Sequence, residues 1–341
     1  MKQLKSICIL LMMALMPLPL MANEQKEGEA LDIPEIVLHH LADTYEWHIV
    51  SDISIPLPII IRSGETGEWH CCTAQSLPAN FFFNEEAHGK IYERMADGTT
   101  ERPLDLSITR NVLQIWIVVA LLLIVFLSCA RWYKKRDKTS EAPKGFVGAV
   151  EMLVMMINDD VIKSSIGEKH YKKYAPYLLT VFFFIFFTNM LGLIPIFPGG
   201  SNVTGNINIT FFLAVCTFLA VNLFGNREYW KEIFWPDVPI FLKAIPIMPA
   251  IELFGVFTKP FALMIRLFAN MMAGHAMILA FTCVIFLGWT LGPAMGAGLN
   301  IFSAIMLLFM NALELLVAFV QAYVFTMLSA VFIGLAHKEH E

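Results

Sequence analysis

The chain has 341 residues, 57% of them hydrophobic and 16% charged, with a mean hydropathy of +0.62. That is too apolar for an ordinary soluble domain of this length and reads as an integral membrane protein. The formal net charge of −5 is the sum of segregated blocks, and no basic balance of the kind that binds nucleic acid is present.

The N-terminus opens with Lys2 and Lys5, continues through an apolar run over residues 7–20, and reaches Ala22 just before Asn23, Glu24 and Gln25. This is the layout of a secretory signal peptide, with cleavage expected after Ala22. Residues 23–110 are polar, with sixteen Asp or Glu against six Lys or Arg, and hold extended pieces such as "WHIVSDISIPLPIIIR". They read as a small exported, periplasmic segment. Of six cysteines only the adjacent Cys71 and Cys72 fall in it, and neighbours rarely form an unstrained mutual disulfide. His39, His40, His48, His70 and His88 could be taken for ligands, but their spacing matches no zinc pattern, and no metal or other cofactor is expected.

Residues 111–341 read as an all-α membrane domain of about five transmembrane helices plus an interfacial helix. The first span, residues 112–130, is followed by Arg131, Lys134, Lys135, Arg136 and Lys138. The positive-inside rule puts that end in the cytoplasm, so the chain enters from outside. Residues 146–166 mix apolar positions with Glu151, Asp159, Asp160 and Lys163 and predict an amphipathic interfacial helix. Spans follow at about 172–195 and 206–224. The loop between them has no Lys or Arg, whereas the next carries Arg227, Lys231 and Lys243, which repeats the same orientation.

From residue 261 to the end, the apolar run breaks only at "LGWTLGPAMGAG", where Gly and Pro predict the turn of a long, tilted helical hairpin. Its first arm runs outward and its second, residues 299–336, inward, leaving the C-terminus cytoplasmic. Between Lys259 and His337 the strongly polar ionisable groups are Arg266, His275 and Glu314, with the amides Asn270, Asn311 and Gln321 nearby. Intramembrane ionisable groups are functional candidates by default. The competing structural reading is a buried Arg266–Glu314 ion pair holding two helices together.

Helical periodicity argues against that pair. Arg266 and Asn270 share a face with Ala262, Ala269 and Ala273, and small residues invite close approach of a helix. His275 lies nine residues on, about 13 Å along the axis. In the returning arm Glu314 precedes Gln321 by seven residues. Two levels result: Arg266 with Gln321 near mid-membrane, and His275 with Glu314 nearer the outer surface. An imidazole and a carboxylate at one depth can relay protons. Arginine keeps its proton and acts as a fixed charge.

The stretch Arg266, Leu267, Phe268, Ala269, Asn270 strongly resembles the essential-arginine context of subunit a of the F-type ATP synthase. Glu252, Lys259-Pro260, "GNINIT" and the ending "QAYVFTMLSAVFIGLA" with Gln321 extend the likeness over residues 144–341. Relative to the best-known bacterial form, in which an acid occupies the position of His275 and a histidine that of Glu314, the pair is exchanged. The resemblance implies a stator subunit with no catalytic site of its own, in a bacterial inner membrane. Its implied partners are a ring of c subunits, the b-subunit stalk, the ATPase catalytic head and membrane lipid. Arg266 would face the rotor carboxylates, an outer half-channel would be lined by His275 and Glu314, and an inner one would contain Glu252. No Gly-rich Walker sequence is present, so nucleotide chemistry would belong to partners. A proton-coupled secondary transporter is the alternative, and a plain membrane anchor a third reading. The transporter lacks an inverted repeat with paired broken helices, and the anchor leaves the two polar levels unexplained.

Overall fold

The computed structural model describes residues 42–50, 53–84, 87, 89–135, 143–194, 199–234, 247–290 and 293–337. The expected signal peptide, with His39 and His40, lies outside them. The chain divides into two compact units. One comprises Met1–Val118, Met190–Val203 and Met272–Leu315; the other comprises Val119–Asn189, Thr204–Met271 and Leu316–Glu341.

In the first unit, the described residues between 46 and 105 hold β-strands, which lie outside the segment read as all-α and which the proline-broken "extended" pieces foreshadow. Eight short strands, β1 (Glu46–Val50), β2 (Ile53–Pro56), β3 (Ile59–Arg62), β4 (Trp69–Cys72), β5 (Phe81–Asn84), β6 (Lys90–Arg94), β7 (Thr100–Glu101) and β8 (Leu104–Asp105), form three small antiparallel sheets. Their orders are β1-β2, β4-β3-β8 and β5-β6-β7. The period of two in "IIIR" buries Ile59 and Ile61, which pack with Tyr45, Phe81 and Ile91. Cys71 is exposed, Cys72 is half-buried, and both are free thiols.

Seven helices follow among the described residues: α1 (Arg110–Lys135), α2 (Phe146–Met155), α3 (Tyr171–Gly192), α4 (Ile207–Leu223), α5 (Arg227–Phe234), α6 (Ile247–Thr290) and α7 (Pro293–Ala336). Four of these, α1, α3, α6 and α7, are long and apolar enough to cross a membrane. The fifth predicted span, α4, is apolar but only 17 residues long. It starts at Asn206, whose side chain accepts the Asn208 N–H at 3.0 Å. The "GNINIT" stretch is thus a helix start, with the asparagine satisfying an otherwise orphaned donor.

The amphipathic segment after α1 is helical, as its pattern predicts, and α2 continues through a π-helical stretch, Met156–Lys163, into a last turn, Ser164–Ile166. The wider turn keeps Ile157, Val161 and Ile162 buried while Asp159 and Asp160 stay exposed. Gly167, at φ 86, ends the helix in a backbone region that disfavours other residues.

The second unit has its core among Leu178, Phe182, Phe183 and Ile185 of α3, Leu263, Leu267 and Met271 of α6, and Ala322, Phe325, Ala330 and Ile333 of α7. Phe182 meets Phe319 edge-on at 6.1 Å. Fully buried Ala318, Ala322 and Ala330 line α7 here, where small side chains allow helices to approach closely.

The break between the hairpin's arms falls within the predicted stretch, with helix on both sides of it. Helix α6 begins at Ile247, passes through Pro260 and ends at Thr290, while α7 begins at Pro293, so "LGWTLGPAMGAG" is largely helical. Proline suits a first helical position because its missing N–H would be orphaned there anyway. The glycines that flank the break make close contacts. A Cβ on Gly296 would come within 2.1 Å of the Gly288 carbonyl oxygen, and one on Gly288 within 1.9 Å of Asn300 Oδ1. Each arm has 44 residues, about 66 Å of helix against a hydrocarbon core of about 30 Å.

Candidate functional site

Each unit holds one of the two polar levels. In the first, His275 of α6 and Glu314 of α7 meet with Nδ1 2.5 Å from Oε1. Only 13% and 4% of their side chains are exposed, so both are nearly removed from bulk solvent. The other ring nitrogen, Nε2, lies 3.3 Å from the Gly192 carbonyl oxygen at the end of α3. A carbonyl can only accept, so Nε2 carries a hydrogen in this arrangement. A single further proton then decides between a neutral imidazole facing a glutamic acid and an imidazolium facing a carboxylate. The pair meets at ion-pair distance, yet among the described residues neither Glu314 oxygen completes a well-aligned hydrogen bond.

The ion-pair partner of Glu314 is therefore His275, and the structural reading of an Arg266–Glu314 bridge finds no support. Asn311, one turn from Glu314, donates instead to the Leu307 carbonyl of its own helix at 2.9 Å. The reading missed two contributors to this level. Gly192 supplies the carbonyl, and Gly274 makes the space that Glu314 occupies. Both are glycines in otherwise apolar helices, a pattern that marks a close approach.

In the second unit, Asn270 of α6 donates Nδ2–H to Gln321 Oε1 of α7 at 2.9 Å. The sequence reading puts Gln321 at the depth of Arg266; the hydrogen bond Gln321 makes is to Asn270, one turn further on. Gln321 is buried, whereas Ala262, Arg266, Ala269 and Asn270 are exposed. Among the described residues Arg266 has no hydrogen-bond or ion-pair partner. Glu252, fourteen residues earlier on α6, is also exposed. Phe254, Phe257, Phe261 and Ile265 are exposed along the same helix, so a guanidinium stands on an apolar, partly small-residue surface.

Elsewhere in this unit, Thr204 donates to Asn189 Oδ1 at 2.7 Å, and Asn189 Nδ2 reaches the Ala318 carbonyl at 3.5 Å. Lys259 Nζ stands 5.9 Å from the centre of the Phe332 ring, a cation–π contact. These contacts join α3 to α7 and α6 to α7.

Residues 112–334 match the family model described as ATP synthase A chain, and residues 36–107 match a domain of unknown function. The ATP synthase subunit a of Pelodictyon phaeoclathratiforme is 45% identical over 249 residues, 70% of this chain and 69% of that protein. That of Chloroherpeton thalassium is 42% identical over 245 residues, 69% of each chain. That of Myxococcus xanthus is 41% identical over 267 residues, 74% of this chain and 81% of its own. With a matching model over most of its length and relatives well above 30% identity, this multi-pass membrane chain belongs to the ATP synthase A chain family, subunit a of the F-type ATP synthase.

Proposed function

We propose that the chain is the stator subunit that couples proton flow to rotation of a c-subunit ring, with Arg266 as the charge separating two half-channels. The observation that carries this reading is an exposed Arg266 without a partner among the described residues, set beside Ala262 and Ala269 on an otherwise apolar face. A guanidinium in that setting costs about 2.5–3.5 kcal/mol by insertion scales. A carboxylate carried past on a neighbouring helix would offset that cost, and the small side chains would let the helix come close.

Protons enter from outside past His275 and Glu314, neutralise a rotor carboxylate, and leave through an inner half-channel containing Glu252. Arg266, as a fixed charge, prevents direct passage between the two. Asn270 and Gln321 position the helices around it. Each charge crossing the membrane gains about 2.3 kcal/mol per 100 mV, so several protons serve each nucleotide made on the catalytic head, to which the b stalk connects the stator. Residues 1–22 act as signal peptide, 23–110 as exported segment and 111–341 as membrane domain, with a cytoplasmic C-terminus in a bacterial inner membrane. The match of residues 36–107 and 112–334 to separate family models supports that division.

The test is ATP-driven proton uptake by inverted vesicles with sodium withheld. Arg266→Ala and Arg266→Lys should both abolish it in correctly assembled complexes, since lysine lacks the planar fork and can lose its proton. Wild-type pumping by Arg266→Lys would remove the separator role.

A further inference from the structure

The polar network of the first unit does not stop at His275. The Ser201 carbonyl and the His275 ring converge on Gly192, where an added Cβ would lie 3.2 Å from Ser201 O and 3.5 Å from Nε2. Ser201 itself is fully buried; its hydroxyl donates to Asn111 Oδ1 and its N–H to Gln114 Oε1 at 3.0 Å. Asn111 and Gln114 stand one turn apart at the start of α1 and are 4% and 0% exposed. One residue earlier the helix is stitched to the β-segment. Arg110 N–H donates to Thr44 O at 3.0 Å, the Arg110 guanidinium to Ala42 O at 3.3 Å, and Asn111 N–H to Asp43 Oδ1 at 3.1 Å.

A network that only anchored the 199–205 loop to α1 would satisfy each of its own polar atoms. This one does not: Gln114 Nε2, on a fully buried side chain, has no hydrogen-bond partner among the described residues. A buried orphan donor is costly, and a polar site with several partners is where a protein holds water.

We infer that the β-segment and the first turns of α1 form the mouth of the proton inlet. In it Asn111, Gln114 and Ser201 hold a file of water leading to His275 and Glu314, and Asp43 marks the outer end. This deepens the proposed function and rests on its assignment of the His275 level to the outer side. It gives the β-segment a task in transport. The three buried residues are positioning residues: they orient water, and water passes the proton, so no bond to carbon changes. Asp43 supplies a carboxylate at the entrance. Burial holds it above its ordinary range, opposed by the Asn111 N–H, the Thr109 hydroxyl, and the charges of Arg110 and Lys90.

The test uses the complete synthase in sealed vesicles, native thiols removed, and a small membrane-impermeant thiol reagent applied to one face at a time. Gln114→Cys, Ser201→Cys and Glu314→Cys should each be modified from the face that bears the β-segment. Modification at position 314 from that face, but at neither 114 nor 201, overturns the mouth and leaves the inlet standing. Modification at none of the three from that face overturns both. Variants that keep the fold supply the second readout. Gln114→Leu should slow proton flow severalfold and Gln114→Glu should restore it. Asp43→Asn should shift the dependence of flow on outer pH and leave the dependence on inner pH unmoved. An unchanged outer-pH profile in Asp43→Asn, with Gln114→Leu at the wild-type rate, would leave these residues a structural anchor and end the proposal.

Discussion

Gly274 makes room for Glu314: a Cβ at position 274 would stand 2.9 Å from Glu314 Oε1 and 3.0 Å from its Cδ. The oxygen concerned is the one that faces His275. Because it belongs to the end of a flexible side chain, Gly274→Ala should fold and assemble, with the carboxylate displaced from the imidazole. The expected result is normal complex yield with proton flow reduced by about tenfold, equivalent to 1.4 kcal/mol on the barrier. Unchanged flow would mean that the 2.5 Å contact has no part in transport.

The relay itself is tested by a graded series. His275→Ala and Glu314→Ala should slow proton-driven ATP synthesis far more than Asn311→Ala, because Asn311 spends its amide on the Leu307 carbonyl. The double replacement His275→Glu with Glu314→His keeps one imidazole and one carboxylate at one depth and should retain partial activity. Equal rates across the series would reassign the pair to helix packing.

Asn270 and Gln321 offer a separate stability measurement. Asn270→Leu leaves the buried Gln321 amide without its donor, and hydrogen bonds between membrane helices contribute about 0.6–2 kcal/mol. Unfolding in detergent should show a loss of that order. Adding Gln321→Leu should recover part of it, since two apolar partners no longer leave an orphan. Strict additivity of the two losses would show the residues to be uncoupled.

In the β-segment the Tyr45 hydroxyl donates to Asp105 Oδ2 at 2.5 Å. Burial first, then the Asp105 carboxylate, holds this phenol above its ordinary value of about 10. A group raised in the folded state contributes stability that is complete below its unfolded value and is lost as pH climbs through the folded one. Tyr45→Phe should therefore melt earlier at neutral pH, by an amount matching the roughly 1.5–3 kcal/mol of a hydrogen bond to a charged group. The gap should narrow in strongly alkaline buffer. A gap that stayed constant from neutral to alkaline pH would point to packing rather than ionisation. Thermal unfolding followed by near-ultraviolet circular dichroism reads both.

Length and hydrophobic periodicity determined the helices, because an apolar run near 20 residues has few other fates and local backbone bonding needs no distant partner. The amphipathic segment ahead of α3, and Arg266, His275, Glu314, Asn270 and Gln321 as the polar groups of the hairpin, were legible for the same reason: charge in an apolar run stands out by its cost. The β-segment left only a trace, since strands such as "IIIR" find their partners through Trp69–Cys72 and Leu104–Asp105, pairings that no local pattern encodes. Register across α6 and α7 was only partly legible: the spacing put His275 and Glu314 at one depth, where they meet, but did not set Gln321 against Asn270. Seven-residue and nine-residue spacings place groups along each helix, but the side chains that touch depend on how two surfaces interdigitate. Tertiary structure alone therefore decided that Gln321 bonds to Asn270, that Glu314 meets Nδ1 of His275 while Nε2 turns to the Gly192 carbonyl, and that the glycines at 288 and 296 make close contacts beside the predicted turn. Glycine permits both a break and a close approach, and only a neighbouring backbone, here the Gly288 carbonyl under Gly296, determines which.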